Sequence, residues 1–153
     1  MMALREKQQP ENSMQSESSL RLTNQKPGIL IIAEQLLGNA VRETLIRDYG
    51  MHNIQVCTFY TLDKTLAWPG DRRIRSEKDA QKLLEEGGYE IIAADPLPRC
   101  FASENTVWID LPHKAFQLYE DTQPLPLLLG EHLNKWLDDQ LRKMTGITGR
   151  TIL

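Results

Sequence analysis

Short apolar runs alternate with amphipathic segments along most of the chain. Four of these runs are rich in β-branched residues and too short for helices, which is typical of strands covered on both faces of a parallel sheet. They are residues 29–33, 54–59, 89–94 and 107–111. We therefore predict four strands, and we place the unbroken apolar run 29–33 at the centre of the sheet.

The first amphipathic segment follows residues 29–33 and predicts a helix. Its apolar stripe, spaced at three- and four-residue steps, contains Leu36, Leu37, Ala40, Val41, Thr44 and Leu45. Arg42, Glu43 and Arg47 are predicted on the opposite, solvent-facing side. Gly50 is placed to end this helix in a left-handed turn.

Two further segments predict helices. Ser76 and Asp79 have the spacing of a capping box at the start of one, and Gly87 is the predicted stop. Its inward residues are Ala80, Leu83 and Leu84. The last helix has an apolar stripe at Leu129, Leu133, Trp136, Leu137, Leu141 and Met144.

The alternation of strands and helices predicts an α/β fold. Right-handed crossovers would cover both faces of a four-stranded parallel sheet with the order 2-1-3-4, a flavodoxin-like or Rossmann-like three-layer sandwich. This single domain is predicted to cover residues 27–144. Residues 1–26 are polar and predict a flexible lead-in or linker, and residues 145–153 a C-terminal tail.

Composition excludes several classes of protein. The 153 residues carry a formal net charge of -3 without a basic stripe, which disfavours nucleic acid as a partner. No apolar run approaches the ~20 residues of a membrane-spanning helix, and the first residues lack the apolar core of a secretory signal, so a cytoplasmic location is expected. Cys57 and Cys100 are predicted to be free cysteines that pack as small apolar side chains.

Polar residues follow each predicted strand, where ligands bind in parallel α/β sheets. The candidate ligand- or cofactor-facing residues are Glu34, Gln35, Tyr60, Asp63, Asp95 and His113. The alternative for each of them is an ordinary solvated loop residue, since strand ends are polar in any α/β domain. The sequence does not predict which residues would be catalytic.

Several common nucleotide and hydrolase motifs are missing from the sequence. The turn after the first strand has no glycine-rich fingerprint, which disfavours a dinucleotide site, and no phosphate-binding P-loop or nucleophile elbow occurs elsewhere. A receiver domain is also disfavoured, because Gln35 stands where the second residue of an acidic pair would be needed beside Glu34.

The order of segments resembles the nitrogenase component 1 family. A basic lead-in precedes a strand entered at Lys26, Pro27 and Gly28, and the helical segment AEQLLGNAVRETLIRDYG follows. Next come a strand ending in CTFY, the segment EIIAADPLPRC and the segment WIDLPHKAF, which leads into a histidine-bearing loop. The resemblance covers most of residues 4–144 and rests on the order of these segments.

The resemblance implies one domain of an oxidoreductase. Such a domain would form one wall of a metal-cluster or substrate pocket that other domains complete, and His113 would be a candidate metal ligand. An iron–sulfur or related metal cluster and an ATP-dependent iron–sulfur reductase are implied for the full assembly. With two cysteines, the isolated chain is expected to hold no cofactor and to be inactive. The alternative is a non-enzymatic binding or assembly module with a flavodoxin-like or receiver-like fold.

Overall fold

The computed structural model describes residues 27–111 and 128–145, with side chains up to residue 143. These residues form five strands, three α-helices and one 3-10 helix. In chain order they are β1 (Ile29–Ile32), α1 (Gln35–Tyr49), β2 (Ile54–Thr58), β3 (Arg72–Arg73), α2 (Glu77–Gly87), β4 (Ile91–Ala94), the 3-10 helix (Leu97–Phe101), β5 (Val107–Asp110) and α3 (Gly130–Thr145). The predicted lead-in, residues 1–26, and tail residues 146–153 lie outside the described residues. No described helix combines the length and the apolar character that crossing a membrane would require.

The strands form one parallel sheet in the order β3-β2-β1-β4-β5. Strand β1 lies at its centre, and all four of its residues are buried, which confirms the predicted central position of this apolar run. The prediction of four strands was one strand short, because the two-residue strand β3 pairs with the outer side of β2. The four predicted strands are β1, β2, β4 and β5, and they lie in the predicted order 2-1-3-4.

Strand β3 depends on its neighbours and not on an apolar pattern of its own. Arg72 and Arg73 are both exposed, and they pair in register with the last two residues of β2. The next residue, Ile74, is 1% exposed and donates its backbone N–H to the Thr58 carbonyl at 2.7 Å. A pair of arginines therefore becomes a strand because the residue after it is anchored in the core.

Helix α1 begins and ends as predicted, but one part of its predicted face was wrong. Gly50 has φ 63° and ends the helix in a left-handed turn. Leu36 is 65% exposed, whereas Arg42 is fully buried. Arg42 donates from Nη1 to both carboxylate oxygens of Asp71, at 2.8 and 2.9 Å, and its guanidinium lies 4.2 Å from the ring centre of Trp68. The helix thus buries a charge because Asp71, in the loop between β2 and β3, supplies its counterion.

The other two helices largely follow the predicted patterns. The Ser76 hydroxyl accepts the Asp79 N–H at 3.1 Å, and α2 ends one residue later than predicted, with Gly88 in the left-handed conformation. The buried side chains of α2 are the predicted Ala80, Leu83 and Leu84. In α3, the predicted core residues Leu133, Leu137 and Leu141 are buried. Leu129, by contrast, is 69% exposed, and the side chain of Met144 lies outside the described part of the chain.

Two apolar cores cover the two faces of the sheet and give the domain three layers. On one face, Ile31 packs with residues of α1 and α3, including Val41 and Leu137. On the other face, Leu30 packs with residues of α2, including Leu84. Continuous apolar runs are typical of parallel strands that are covered on both faces. The three-layer arrangement therefore agrees with the apolar pattern of the sequence.

Helices α1 and α3 are also joined by a polar contact. The Tyr49 hydroxyl donates to Asp138 Oδ1 at 2.9 Å. Burial of the phenol, together with this hydrogen bond, raises the pKa of Tyr49 above its ordinary value. This bond links the last turn of α1 to the middle of α3.

Candidate functional site

A cavity of about 440 Å³ opens at the carboxyl ends of β1, β2 and β4. Its walls are mostly apolar and come from both sides of the sheet and from the 3-10 helix. The apolar lining residues are Ile32, Ala33, Leu37, Phe59, Ala80, Ala94, Leu97, Pro98, Phe101 and Leu111. We refer to this space as the strand-end cavity. Its place agrees with the general position of ligand sites in open parallel α/β sheets.

Three of the predicted candidates meet in the strand-end cavity. Glu34, Tyr60 and Asp95 all line it, although they follow three different strands. A fourth polar residue, Glu77, comes from the first turn of α2 and was not predicted. Because that helix begins where β3 ends, its first turn lies at the same edge of the sheet, and this position could have indicated Glu77.

Gln35 and Asp63 do not line the cavity. The Gln35 side chain, which is 4% exposed, donates from Nε2 to the Asp63 carbonyl at 2.8 Å and accepts the Asp63 N–H at 2.8 Å. The Asp63 carboxylate accepts from the backbone and hydroxyl of Thr65 at 2.8 and 2.7 Å, which lowers the pKa of Asp63. These residues tie the loop after β2 to the start of α1. The remaining candidate, His113, lies outside the described residues.

Glu34 places a negative charge at the start of α1. Its Oε2 atom accepts the backbone N–H groups of Leu36 at 3.0 Å and Leu37 at 3.3 Å. The first turn of a helix that follows β1 is the usual phosphate position in dinucleotide-binding sheets. Here a carboxylate of the chain itself takes those donors. This contact supports the sequence-based argument against a dinucleotide.

Asp95 shapes the opposite wall of the cavity. One of its carboxylate oxygens accepts the Leu97 N–H at 3.0 Å, and the 3-10 helix begins at that residue. This short helix carries Cys100 and Phe101 into the cavity lining. Asp95 therefore contributes both a charge and the local turn that closes the wall.

The charged groups among the described lining residues of the cavity all have the same sign. Glu34, Glu77 and Asp95 are carboxylates, and no lysine, arginine or histidine occurs among the described lining residues. These carboxylates would repel a carboxylate or a phosphate of a ligand, whereas they would attract a cationic or hydrogen-bond-donating group. The cavity is thus suited to a largely apolar ligand that carries an amine or a similar donor.

The two cysteines differ in their surroundings. Cys57 is buried in β2, as predicted, and burial raises the pKa of its thiol to about 11 although the nearby Arg72 opposes the shift. The prediction that Cys100 packs as an apolar side chain was wrong, because Cys100 is exposed. Its position on a short 3-10 helix at the mouth of the cavity, which no apolar pattern revealed, leaves it accessible.

This difference predicts selective labelling. Iodoacetamide at pH 8 is expected to add one carbamidomethyl group per chain, at Cys100, because the reactive thiolate of Cys57 forms only as the pH approaches about 11. Intact-mass analysis measures the number of groups. Cys57→Ser should still gain one group and Cys100→Ser none; two rapid additions to the wild type would contradict the buried position of Cys57.

The described residues do not fit an iron–sulfur cluster by themselves. Such clusters are held mainly by thiolates. Within residues 27–111 and 128–143, Cys100 is the one thiol at the cavity, and no group of three or more His, Cys, Asp or Glu side chains is placed to hold a metal ion. We therefore derive no chemistry at a cluster from these residues.

Comparison with known proteins does not assign the chain to a family. No family model matches the sequence, and neither the curated proteins nor the solved structures contain a significant match.

Proposed function

We propose that this domain is the ligand-binding α/β domain of a nitrogenase component 1-like oxidoreductase. In this proposal the fold is of the flavodoxin-like or Rossmann-like kind, and the strand-end cavity forms one wall of a substrate pocket that other domains complete. The observation that carries the proposal is the cavity itself, about 440 Å³ in volume at the carboxyl ends of three adjacent parallel strands. The oxidoreductase part rests on the order of sequence segments described above.

Exposed apolar side chains support an incomplete pocket. Leu97, which lines the cavity, is 72% exposed, and Leu36, in the first turn of α1 but outside the cavity lining, is 65% exposed. Large exposed apolar side chains favour contact with another surface. A neighbouring domain that covers Leu97 would also exclude water from a ligand inside the cavity.

The residues of the cavity would have different roles in ligand binding. The apolar walls would bury the body of the ligand, and Glu34, Glu77 and Asp95 would orient a cationic or donor group by charge-assisted hydrogen bonds. Tyr60 could donate or accept a hydrogen bond from its hydroxyl. The redox group would come from the other domains, because the described residues do not supply its ligands.

A matched pair of small aromatic ligands tests this assignment. Phenethylamine is expected to bind the purified chain at least about tenfold more tightly than phenylacetate, because the cavity carries three carboxylates and no described cation. Isothermal titration or two-dimensional NMR would measure both affinities. Ala33→Phe, which adds a ring at a half-buried lining position, should abolish binding of the amine.

The control variant is Ala67→Phe, which adds the same ring at a half-buried alanine of the loop after β2, outside the cavity lining. This variant should bind phenethylamine like the wild type. Equal affinities for the amine and the acid, or equal losses in both variants, would contradict a ligand site in the strand-end cavity.

A second candidate is a non-enzymatic assembly module. The exposure of Leu36 and Leu97 favours it, because the same side chains could dock a partner without any ligand between the surfaces. The two candidates differ in the Ala33→Phe variant. A docking surface would tolerate a filled cavity and would be lost in Leu97→Glu, whereas a ligand pocket would be lost in Ala33→Phe.

A further inference from the structure

A second concave surface lies beside the strand-end cavity and has the opposite charge. This groove, about 780 Å³ in volume, lies between the loop after β2 and the turn that joins β3 to α2. We call it the basic groove. Its charged and hydroxyl side chains include Lys64, Arg72, Arg73, Arg75, Thr61 and Ser76.

The cations of the basic groove are not neutralised from within the described structure. The carboxylate of Asp71 lines the groove, but its side chain is 1% exposed and is paired with the buried Arg42. Asp79 accepts the backbone N–H of Arg75 at 3.2 Å. Within the described residues, Asp79 forms no ion pair with any of the four groove cations. Four cations therefore face two carboxylates, of which one is already compensated by Arg42.

This concentration of positive charge contrasts with the rest of the chain. The formal net charge of the protein is -3, and the neighbouring strand-end cavity contains only carboxylates among its charged described residues. Charges of one sign collected in a concave surface raise the local concentration of the opposite ion. Arginine also matches phosphate oxygens with a planar pair of donors.

We propose that the basic groove is a binding site for a phosphate-bearing small molecule, held by Arg73, Arg75 and Lys64. Ser76 and Thr61 supply hydroxyl groups on the same surface. Arg72 is left out of this set, because its guanidinium lies near the buried Cys57 thiol and lowers the pKa of that thiol against the effect of burial. The proposal is independent of the function proposed for the strand-end cavity, because the two surfaces have different side chains and opposite charge.

The ordinary explanation for two exposed arginines on β3 is protection of a sheet edge. Charged side chains on edge strands prevent pairing with another chain. That role requires only Arg72 and Arg73 and gives no reason for Arg75 and Lys64 to face the same groove. The two explanations make different predictions for anion binding and for self-association.

Titration of the full chain with pyrophosphate tests the proposal. Wild-type protein is expected to bind pyrophosphate, with an affinity that falls as the salt concentration rises. Arg73→Gln should weaken binding about tenfold, and Arg73→Gln combined with Arg75→Gln about a hundredfold, because each removes a charge-assisted hydrogen bond. Isothermal titration measures the affinities, and thermal unfolding checks that each variant is folded; Lys64→Gln, on a loop, replaces the double variant if that one does not fold.

The matched control is Arg47→Gln. Arg47 is an exposed arginine of α1, paired with Asp48 and outside the basic groove, so its replacement changes the net charge equally. Pyrophosphate affinity should not change in this variant. An equal loss in Arg47→Gln would overturn the proposal, as would variants at Arg73 and Arg75 that self-associate but bind pyrophosphate as the wild type does. Comparison of pyrophosphate with ADP then shows whether phosphate alone is recognised or a nucleotide.

Discussion

Arg42→Met is expected to destabilise the domain by about 3–5 kcal/mol, the usual cost of removing one partner from a buried ion pair. The side chains of Arg42 and Asp71 are 0% and 1% exposed. In the variant, the Asp71 carboxylate would remain buried, and among the described residues it would keep as donors the backbone N–H groups of Val56 and Trp68. Those donors stabilise the charge less than a guanidinium at 2.8 Å does.

Urea denaturation followed by circular dichroism measures this change in the free energy of unfolding. The control is Arg47→Met, because Arg47 pairs with Asp48 at 2.8 Å but its side chain is 62% exposed. That exposed pair should contribute little to the stability, because solvent screens the two charges. Similar losses in the two variants would contradict the buried position of Arg42.

The double variant Arg42→Met with Asp71→Asn separates the pair from its surroundings. It removes both charges and keeps an acceptor for the backbone of Val56 and Trp68, so it should recover part of the stability lost in Arg42→Met. If the double variant were less stable than Arg42→Met by the full effect of Asp71→Asn, the two side chains would be acting independently.

Ile31→Asp should cost about 5 kcal/mol or more, which is enough to unfold many domains of this size. Ile31 is 0% exposed, pairs with Val56 on one side and Ala93 on the other, and packs in the core beneath α1 and α3. The substitution removes apolar packing and places a carboxyl group where the described residues offer it no charged partner.

The matched control for this change is Leu36→Asp. Leu36 is 65% exposed in the first turn of α1, so an acidic residue there should change the stability by less than about 0.5 kcal/mol. Thermal and urea unfolding of both variants give the comparison. A folded Ile31→Asp domain of nearly wild-type stability would contradict the central position of β1.

The apolar patterns predicted the parts of the fold that depend on burial alone. Strands β1, β2, β4 and β5 and all three helices were located, because each carries enough apolar residues to show its period. Strand β3 was missed, since Arg72 and Arg73 have no apolar period and pair with β2 only through the anchored Ile74. A pattern based on single segments cannot detect a strand formed by its neighbours.

The orientation of Arg42 was missed for a related reason. An arginine on an amphipathic helix is normally predicted to face solvent. The burial of Arg42 depends on Asp71 and Trp68, which come from a distant loop. The spacing of residues along one helix cannot predict contacts with residues that are far away in the sequence. The helix itself was therefore predicted correctly, but tertiary contacts changed which of its side chains are buried.

The candidate site was predicted in part. The strand-end rule brought Glu34, Tyr60 and Asp95 to one cavity, because carboxyl ends of parallel strands share an edge. The same rule could not distinguish Gln35 and Asp63, which form hydrogen bonds with each other and do not line the cavity. Cys100 was missed because its exposure depends on the 3-10 helix that Asp95 begins.

The central place of β1 also has a consequence for synthesis of the chain on the ribosome. Strand β1 precedes the other described strands, and its two neighbours are β2, which follows one helix later, and β4, whose Ile91 pairs with Ile29. At ordinary rates of about 5–20 residues per second, β4 is made roughly 3 to 12 s after β1. During that interval the nascent chain has an unpaired β1 edge beside an apolar surface, which is the kind of segment that chaperones shield.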